Sequence, residues 1–324
     1  MKWSKIAAMA QGENELIDWL RAQAGKVALR GGDGAQALGI GDDMAIVPWG
    51  GSSLLIASDM LLDGVHFDTK VHAPDEIGRK ALAVNLSDCA AMAARPVAFL
   101  TSIALPHHWS QQRAQELMRG MVEFGNRARC PLIGGDTNSW DKPLAVDVTV
   151  LAEPYDTHAP VLRSGAKVGD RLFVTGKLGG SIHGHHMRFF PRDDVAEKLG
   201  AALGADLHAM MDLSDGLATD APRMAAASNV GMLFERAALL SVASVAAREH
   251  AADDDALLQS VIGDGEDFEL FFAVDPAAVQ KVAVLNFDCT VTEVGHVTDD
   301  RYVMLADENG SLFHMPAGGW QHFR

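Results

Sequence analysis

The chain has 324 residues and a formal charge of −16, with 27 lysines and arginines against 43 aspartates and glutamates. This length is enough for two domains, each with its own core. The acidic balance excludes nonspecific binding to nucleic acid or to an anionic membrane, and no apolar run is long enough to cross a bilayer. The cysteines Cys89, Cys130 and Cys289 are odd in number and lack metal-ligand spacing, which predicts a reducing cytoplasm, and Cys89 and Cys130 are expected to be buried.

The first half of the chain alternates helical and strand-like hydrophobic patterns. In chain order they predict a helix over 12–24, a glycine-rich loop over 31–41, a strand over 53–57, a helix over 74–94, a strand over 97–105, a helix from Ser110 to 127, a buried strand over 131–133 and a half-buried antiparallel strand over 144–150. Ser110 suits the N-cap of its helix because its hydroxyl can accept a free backbone N–H.

The segment 154–160 contains two prolines and is the best candidate for a linker, so we place the domains at 1–153 and 154–324. The second half continues with a predicted strand over 172–175, a glycine loop over 176–180, a helix over 215–228 and a strand over 268–274. Strands, helices and loops at strand ends together predict an α/β or α+β fold.

Seven short motifs, most of them pairing an aspartate with a glycine or a hydroxyl residue, are spread along the chain. They are Gly39-Ile40-Gly41-Asp42-Asp43, Ser58-Asp59, Asn85-Leu86-Ser87-Asp88, Gly134-Gly135-Asp136-Thr137, Arg163-Ser164-Gly165-Ala166-Lys167, Asp212-Leu213-Ser214-Asp215-Gly216 and Gly265-Glu266-Asp267. Carboxylates gathered in one cleft repel each other unless cations lie among them. Hard oxygen ligands select magnesium or calcium, so the leading interpretation is a nucleotide site rich in magnesium.

Asp88 is the clearest candidate ligand on a helix. The predicted helix 74–94 has a nearly all-apolar surface, and Asn85 and Asp88 share one of its faces. An unpaired carboxylate on such a helix is costly to bury, which indicates a bound cation.

Two further motifs have a functional and a structural interpretation. In Gly134-Gly135-Asp136-Thr137 the glycines permit close approach to a phosphate and Asp136 can hold its metal; the alternative is a tight turn. In Asp212-Leu213-Ser214-Asp215-Gly216 two carboxylates and a hydroxyl fit a metal site, whereas Ser214 or Asp215 could simply cap the next helix.

Other signals are weaker. The chain contains no P-loop and no plausible dinucleotide fingerprint, so any ATP site must use another architecture. His183, His185 and His186 match no strong zinc spacing. Trp320 suits either stacking on an aromatic or cationic ligand or a plug on the core.

In order and spacing, the motifs resemble those of the thiamine-monophosphate kinase family, in the superfamily of aminoimidazole ribonucleotide synthetase, selenophosphate synthetase and the hydrogenase-maturation dehydratase. The likeness runs from about Gly39 to Phe323, and the stretches Asp63–Phe67, Ala81–Asp88 and Arg163–Lys167 indicate the kinase branch. The resemblance implies an N-terminal α/β domain that pairs strands across a homodimer, and a C-terminal α+β domain.

The resemblance also implies a reaction, in which ATP donates its γ-phosphate to thiamine monophosphate to give thiamine diphosphate and ADP. It implies magnesium ligands at Asp43, Ser58, Asp59, Asp88, Asp136, Asp212 and Asp215, ATP contacts at Gly135, Asp136, Arg163 and Ser214, and thiamine contacts at His66, Glu266 and Trp320. Asp136, Asp212 and Arg163 are expected to be catalytic. Because the attacking phosphate is already ionised, alignment and charge neutralisation are the main tasks.

The chain departs from the family pattern at Ala57, Ala93, Asp264 and Phe268, where the family usually has a hydroxyl residue, a glycine, a glycine and a tyrosine. None of these changes removes a carboxylate of the motifs. They leave two alternatives open: a relative that uses ATP on another substrate, and a nucleotide-binding homologue without turnover.

Overall fold

The computed structural model describes residues 12–24 and 37–319, in which two mixed β-sheets are flanked by helices. The first half contains α1 (Gly12–Ala24), β1 (Ala45–Trp49), β2 (Ser52–Leu62), α2 (Pro74–Ala91), β3 (Ala94–Pro106), α3 (Gln111–Arg127), β4 (Leu132–Trp140) and β5 (Ala145–Pro154). Residues 31–36 of the predicted glycine-rich loop and Trp320 lie outside the described residues.

The second half contains the seven strands of the other sheet and most of the short helices. They are β6 (Arg171–Thr175), α4 (His185–Arg188), α5 (Asp193–Leu203), β7 (Leu207–Asp212), α6 (Leu217–Ser228), β8 (Gly231–Glu235), α7 (Arg236–Ser241), α8 (Val245–His250), α9 (Asp254–Gly263), β9 (Leu270–Val274), α10 (Val279–Val284), β10 (Val291–Thr298), β11 (Val303–Ala306) and β12 (Leu312–His314). Within the described ranges, no helix is long and apolar enough to cross a membrane.

The N-terminal sheet has the order β1-β2-β5-β3-β4, and its neighbours are antiparallel except for the parallel pair β3 and β4. Helices α2 and α3 cover one face. They approach closely because Gly78 faces the backbone of Leu117 and Gly120 faces the backbone of Asp75, where a Cβ would lie 2.0 Å and 1.9 Å from the carbonyl oxygens. The predicted antiparallel β5 and the Ser110 cap, which accepts from the Arg113 N–H at 3.3 Å, are confirmed.

Strand β4 corrects the sequence prediction. Residues 131–133 were expected to form a buried strand that ends before the glycine motif, but β4 runs through that motif as an exposed edge strand. Gly135 has φ +148°, and a Cβ there would lie 1.8 Å from the Thr101 carbonyl oxygen of β3. Since only glycine permits this close pairing, the glycine has a structural reason that the sequence did not show.

The C-terminal sheet has the order β12-β11-β8-β10-β6-β9-β7. One apolar cluster packs α6, α7 and α9 on one face, while α5 and α10 pack on the other face in a second cluster that also includes Ala90 and Ala93 of the first half. The two halves therefore share buried apolar surface, and α2 lies at their boundary. Two predicted elements start later than expected. The helix predicted from residue 215 begins at Leu217, and the strand predicted from residue 268 begins at Leu270.

Candidate active site

Three carboxylates from distant parts of the chain meet at the boundary between the two halves. Asp43 precedes β1, Asp88 lies in the last turn of α2, and Asp212 ends β7. One oxygen from each lies within 4.8 Å of the others, and within the described residues this is the one group of three or more acidic, histidine or cysteine side chains that could share an ion. The structure thus brings together three predicted metal ligands.

Asp59 joins this group from the neighbouring strand. Its carboxyl group lies beside that of Asp88, and its charge helps to raise the pKa of Asp88. The predicted end of the strand at residue 57 was wrong: β2 continues to Leu62, and Asp59 lies inside it, next to the helix-covered residues Ala57 and Leu61. The strand therefore holds Asp59 rigidly against α2.

Burial and mutual repulsion dominate the electrostatics of the group. Burial, followed by the charges of Asp59 and Asp212, raises the pKa of Asp88 well above its usual value. Burial and the charge of Asp43 do the same to the pKa of Asp212, and burial raises the pKa of Asp43. Such a set of acids holds protons in the absence of cations and exchanges them when cations bind.

Arg163 lies on the rim of the group, between the two sheets. Its guanidinium donates to Asp43, and its backbone N–H donates to the two Asp42 oxygens at 3.2 Å and 3.1 Å. Burial, then the charge of Asp43, raises the pKa of Asp42 to about 7. A phosphate that binds Arg163 would therefore meet a guanidinium already oriented by two carboxylates.

Asp212 is further fixed by Ser87, whose hydroxyl donates to Asp212 Oδ2 at 2.5 Å across the domain boundary. Both side chains are buried. Ser87 stands next to Asp88 in the sequence motif, yet the motif gave no indication that its partner would be Asp212.

In the loop after Asp212, neither Ser214 nor Asp215 caps the next helix, which was the structural alternative. No side chain caps α6 at Gly216; instead Asp220 in its first turn accepts the backbone N–H groups of Asp215 and Gly216 at 3.0 Å and 3.1 Å. The Arg223 guanidinium donates to both Asp215, at 2.6 Å, and Asp220, at 2.9 Å. Asp215 is thus held in its own ion pair, beside the group of acids.

The two described residues predicted to contact thiamine are joined by one lysine. Lys80 Nζ donates to the His66 carbonyl at 2.6 Å and to the Glu266 carboxylate at 2.8 Å and 3.0 Å. The His66 ring accepts the Leu62 N–H through Nδ1 at 3.0 Å, so a neutral ring carries its proton on Nε2. Glu266 itself is anchored by its N–H, which donates to the Ser214 carbonyl at 2.7 Å.

The end of the described chain reaches the same loop. Thr219 Oγ1 donates to the Gly318 carbonyl at 2.9 Å, and a Cβ on Gly319 would lie 2.7 Å from the Asp215 carbonyl oxygen. The position of Trp320 is not described, but the residue before it lies against the Asp215 loop.

Asp136 and Ser58 do not reach the group of acids within one chain. Asp136 pairs with Ser102, which pairs with Asp147, which pairs with Met60. Asp136 is therefore about three strand spacings, or ~14 Å, from β2, and it projects to the open face of the sheet. Ser58 also projects there, where its hydroxyl lies 2.9 Å from that of Thr149.

The three neighbouring histidines do not converge. His185 contacts the Asp267 carbonyl at 2.9 Å, buried His186 contacts the Ser181 carbonyl at 2.8 Å, and the exposed His183 ring stacks on His250 at 3.6 Å. Burial lowers the pKa of His186 to about 4. The predicted buried packing is confirmed for Cys89 and Cys130, and all three cysteines are unpaired.

The donor set fits magnesium. Its ligand atoms are carboxylate oxygens, the kind that Mg²⁺ prefers. Among the described residues, Asp43 Oδ2 and Asn85 Oδ1 are buried side-chain acceptors without a hydrogen-bond partner. Buried polar atoms are normally satisfied, so these two indicate ligands that complete the site.

Family models match both halves of the chain. The N-terminal domain of AIR synthase related proteins matches residues 41–153, and the C-terminal domain of the same proteins matches residues 167–307. The chain is thus an AIR synthase related protein.

Individual relatives show which family of AIR synthase related proteins the chain resembles. The thiamine-monophosphate kinase of Rhodopirellula baltica is 39% identical over 270 residues, covering 81% of this chain and 83% of the relative, and that of Bacillus subtilis is 31% identical over 318 residues, covering 89% and 94%. A solved structure of AaThiL complexed with AMPPCP and TMP matches with a TM-score of 0.80 at 25% identity, covering 100% of this chain and 99% of that one. The chain belongs to the thiamine-monophosphate kinase family.

Sequence reasoning missed several residues that shape the site, notably Asp42, Lys80, Ser87, Asp220 and Arg223. Lys80 had a detectable signal, since it is a charged residue among the apolar residues of the middle of α2. Asp42 and Ser87 act through partners that only the fold brings near, whereas Asp220 and Arg223 have partners within eight residues along the chain.

Proposed function

We propose that this chain is an ATP-dependent kinase that phosphorylates thiamine monophosphate, giving thiamine diphosphate and ADP. The observation that carries the proposal is the group formed by the partly buried Asp43 and Asp88 and the buried Asp212 at the domain boundary. Its relatives are named thiamine-monophosphate kinases, and the AaThiL structure was solved with AMPPCP and TMP. Acids that repel each other in an apo cleft suit a substrate that arrives with cations.

We assign magnesium binding to Asp43, Asp59, Asp88 and Asp212. Bound magnesium would neutralise phosphate charge and align the attacking and leaving oxygens. The protein's own part is to hold these carboxylates rigidly, through β2 for Asp59 and through the Ser87 hydroxyl for Asp212.

The remaining side chains bind and orient. Arg163 is placed to grip phosphate oxygens bidentately once they compete with Asp43 for its guanidinium. The attacking oxygen of a phosphate monoester is already ionised near neutral pH, so the reaction needs no strong general base. His66, through Nε2, and Glu266, through its exposed part, are assigned to the thiamine end, with Trp320 as a stacking surface.

The working unit we propose is a homodimer. On its uncovered side and at its β4 edge, the N-terminal sheet exposes the apolar side chains of Met60, Ile133 and Trp140, and among the described residues β4 leaves a strand edge unpaired. Such a face and edge favour association with a second sheet. Because Asp136 cannot reach the acids of its own chain, we assign its predicted metal and ATP role, with that of Gly135, to the site of a second copy.

We also propose two domains, at 1–153 and 154–324, and a cytoplasmic location. The N-terminal sheet ends at Pro154 and the C-terminal sheet begins at Arg171, and the unpaired cysteines suit a reducing compartment.

The test is incubation of the purified protein with ATP, Mg²⁺ and thiamine monophosphate, with separation of the thiamine phosphates. We expect thiamine diphosphate and ADP in equal amounts, and none with Asp212→Asn, whose carboxylate lies in the group of acids. Thiamine diphosphate at or below the no-enzyme control would reject the proposal. Phosphoryl transfer to another acceptor in a metabolite panel would reassign the substrate, and ATP binding without ADP would indicate a non-catalytic homologue.

A further inference from the structure

Lys80 is a charged side chain that is fully buried yet fully paired. Its side chain has 0% exposure, and its ammonium group has three hydrogen-bond partners: the His66 carbonyl and both Glu266 oxygens. A lysine ammonium has three donors, so none remains for a substrate. Lys80 can therefore influence binding only through the groups that it holds.

Those groups lie in different domains. His66 belongs to the loop after β2, and Glu266 belongs to the loop between α9 and β9, 186 residues from Lys80 along the chain. Lys80 lies on α2, which packs against elements of both halves. One side chain thus connects the two loops to which we assign thiamine binding.

Glu266 is held in an unusual conformation. Its backbone has φ +52°, in the left-handed region that non-glycine residues rarely adopt, and its N–H donates to the Ser214 carbonyl at 2.7 Å. Such conformations persist where surrounding contacts enforce them, often at ligand sites. The side chain is 28% exposed, so part of the carboxylate stays accessible while Lys80 fixes the rest.

We propose that Lys80 is a positioning residue that sets the spacing between His66 and Glu266 across the domain boundary, and thereby the affinity for the thiamine end of the acceptor. This inference rests on the proposed function. Burial of a charge is tolerated only with well-placed partners, so the three contacts fix both loops to the rigid helix α2. ATP and its cations bind to other residues and do not depend on this contact.

The test compares Lys80→Met with Arg79→Met in steady-state kinetics. Arg79 is a matched control because it lies on the same helix and crosses the same boundary, donating to the carbonyls of residues 187–189 between the rings of Phe124 and Phe190. We expect Lys80→Met to raise the KM for thiamine monophosphate at least about tenfold, since small misplacements of binding groups are costly. The KM for ATP should change less than about twofold, because no ATP ligand touches Lys80.

Arg79→Met should lower the melting temperature without changing the KM for thiamine monophosphate. An unchanged KM in Lys80→Met, or equal rises in both variants, would overturn the inference. If Lys80→Met does not fold, the double variant Lys80→Met/Glu266→Gln leaves no unpaired buried charge. Its KM should exceed that of Glu266→Gln alone, because Lys80 also holds the His66 carbonyl; an equal KM would overturn the inference.

The two proposals fail separately. Wild-type protein that makes no thiamine diphosphate rejects the proposed function. Wild-type protein that makes it, with a Lys80→Met variant of unchanged KM, rejects only the positioning role.

Discussion

The N-terminal sheet carries aspartates on both faces, and their surroundings differ. On the helix-covered face Asp59 is pressed against Asp88, and burial raises the pKa of both. On the open face Asp136 is exposed, with the Asn138 amide at 3.3 Å as its hydrogen-bond partner. The sequence motifs around these acids look alike, but only the covered face forms a site within one chain. The proposed homodimer would give the open face a site in a second molecule.

The largest expected effect is a loss of turnover from a substitution on the helix-covered face. Asp88→Asn should lower turnover about a thousandfold, because it removes a central ligand where transition-state charge is stabilised. It should also raise the metal-free melting temperature by about 2–4 °C, because it relieves repulsion among buried acids. Turnover assays and thermal unfolding in EDTA measure the two effects.

Asp136→Asn is the matched variant on the open face. It should also reduce turnover, but change the metal-free melting temperature less than Asp88→Asn does, since Asp136 is exposed within its own chain. A rise equal to that of Asp88→Asn would contradict the contrast between the two faces.

Complementation tests whether the open face acts in another subunit. Asp136→Asn and Asp212→Asn proteins should each be inactive. Unfolded together and refolded at equal ratio, they should regain about a quarter of wild-type turnover, because half of the dimers are mixed and each mixed dimer has one intact site. No recovery, with mixed dimers demonstrated by tagged subunits, would place Asp136 in the site of its own chain.

A charge on the open face should disrupt association. Ile133 is 59% exposed in the single chain, and we expect Ile133→Glu to shift the protein from dimer to monomer in light scattering, because a desolvated charge opposes the interface. Val284→Glu, at a site 80% exposed in the C-terminal half, should leave the mass unchanged. A monomeric wild-type protein would end the dimer proposal directly.

The smallest expected effect is a dependence of stability on pH. Burial, then the charge of Asp215, raises the pKa of Asp220 from 3.8 to about 7. The folded protein therefore keeps a proton on Asp220 that the unfolded chain loses near pH 4. Stability from this group is greatest below pH 4 and falls as pH rises from 4 to 7.

Urea unfolding in EDTA should accordingly give a lower midpoint at pH 7.5 than at pH 5.0. Asp220→Asn keeps an acceptor for the Asp215 and Gly216 N–H groups and should reduce this difference. A midpoint that rises with pH to the same extent in both proteins would show that Asp220 is ionised throughout.

Much of the covered face could be predicted from the sequence. A carboxylate on a helix with an apolar surface has few explanations, so Asp88 was identifiable without coordinates. The predicted α/β architecture is confirmed by the two sheets and their helices. These predictions depend on the local pattern of apolar and polar residues, which can be read from the sequence.

The open face could not be predicted in the same way. The apolar residues Leu132 and Ile133 suggested a buried strand, because hydrophobicity alone does not distinguish a core from an interface. Lys80 shows a related limit: its burial on α2 could be suspected, but its partner Glu266 is determined by how the two halves pack. Positions that depend on long-range packing or on a second chain lie beyond local pattern.

The central claim is that the group of acids at the domain boundary becomes a metal site when nucleotide binds. A crystal structure with Mn²⁺ and a non-hydrolysable ATP analogue tests it most directly, because anomalous scattering locates each ion. We predict Mn²⁺ peaks in contact with carboxylate oxygens of Asp43, Asp88 and Asp212, bridged to phosphate oxygens of the nucleotide. Nucleotide bound with its phosphates and ions away from these three aspartates would contradict the account.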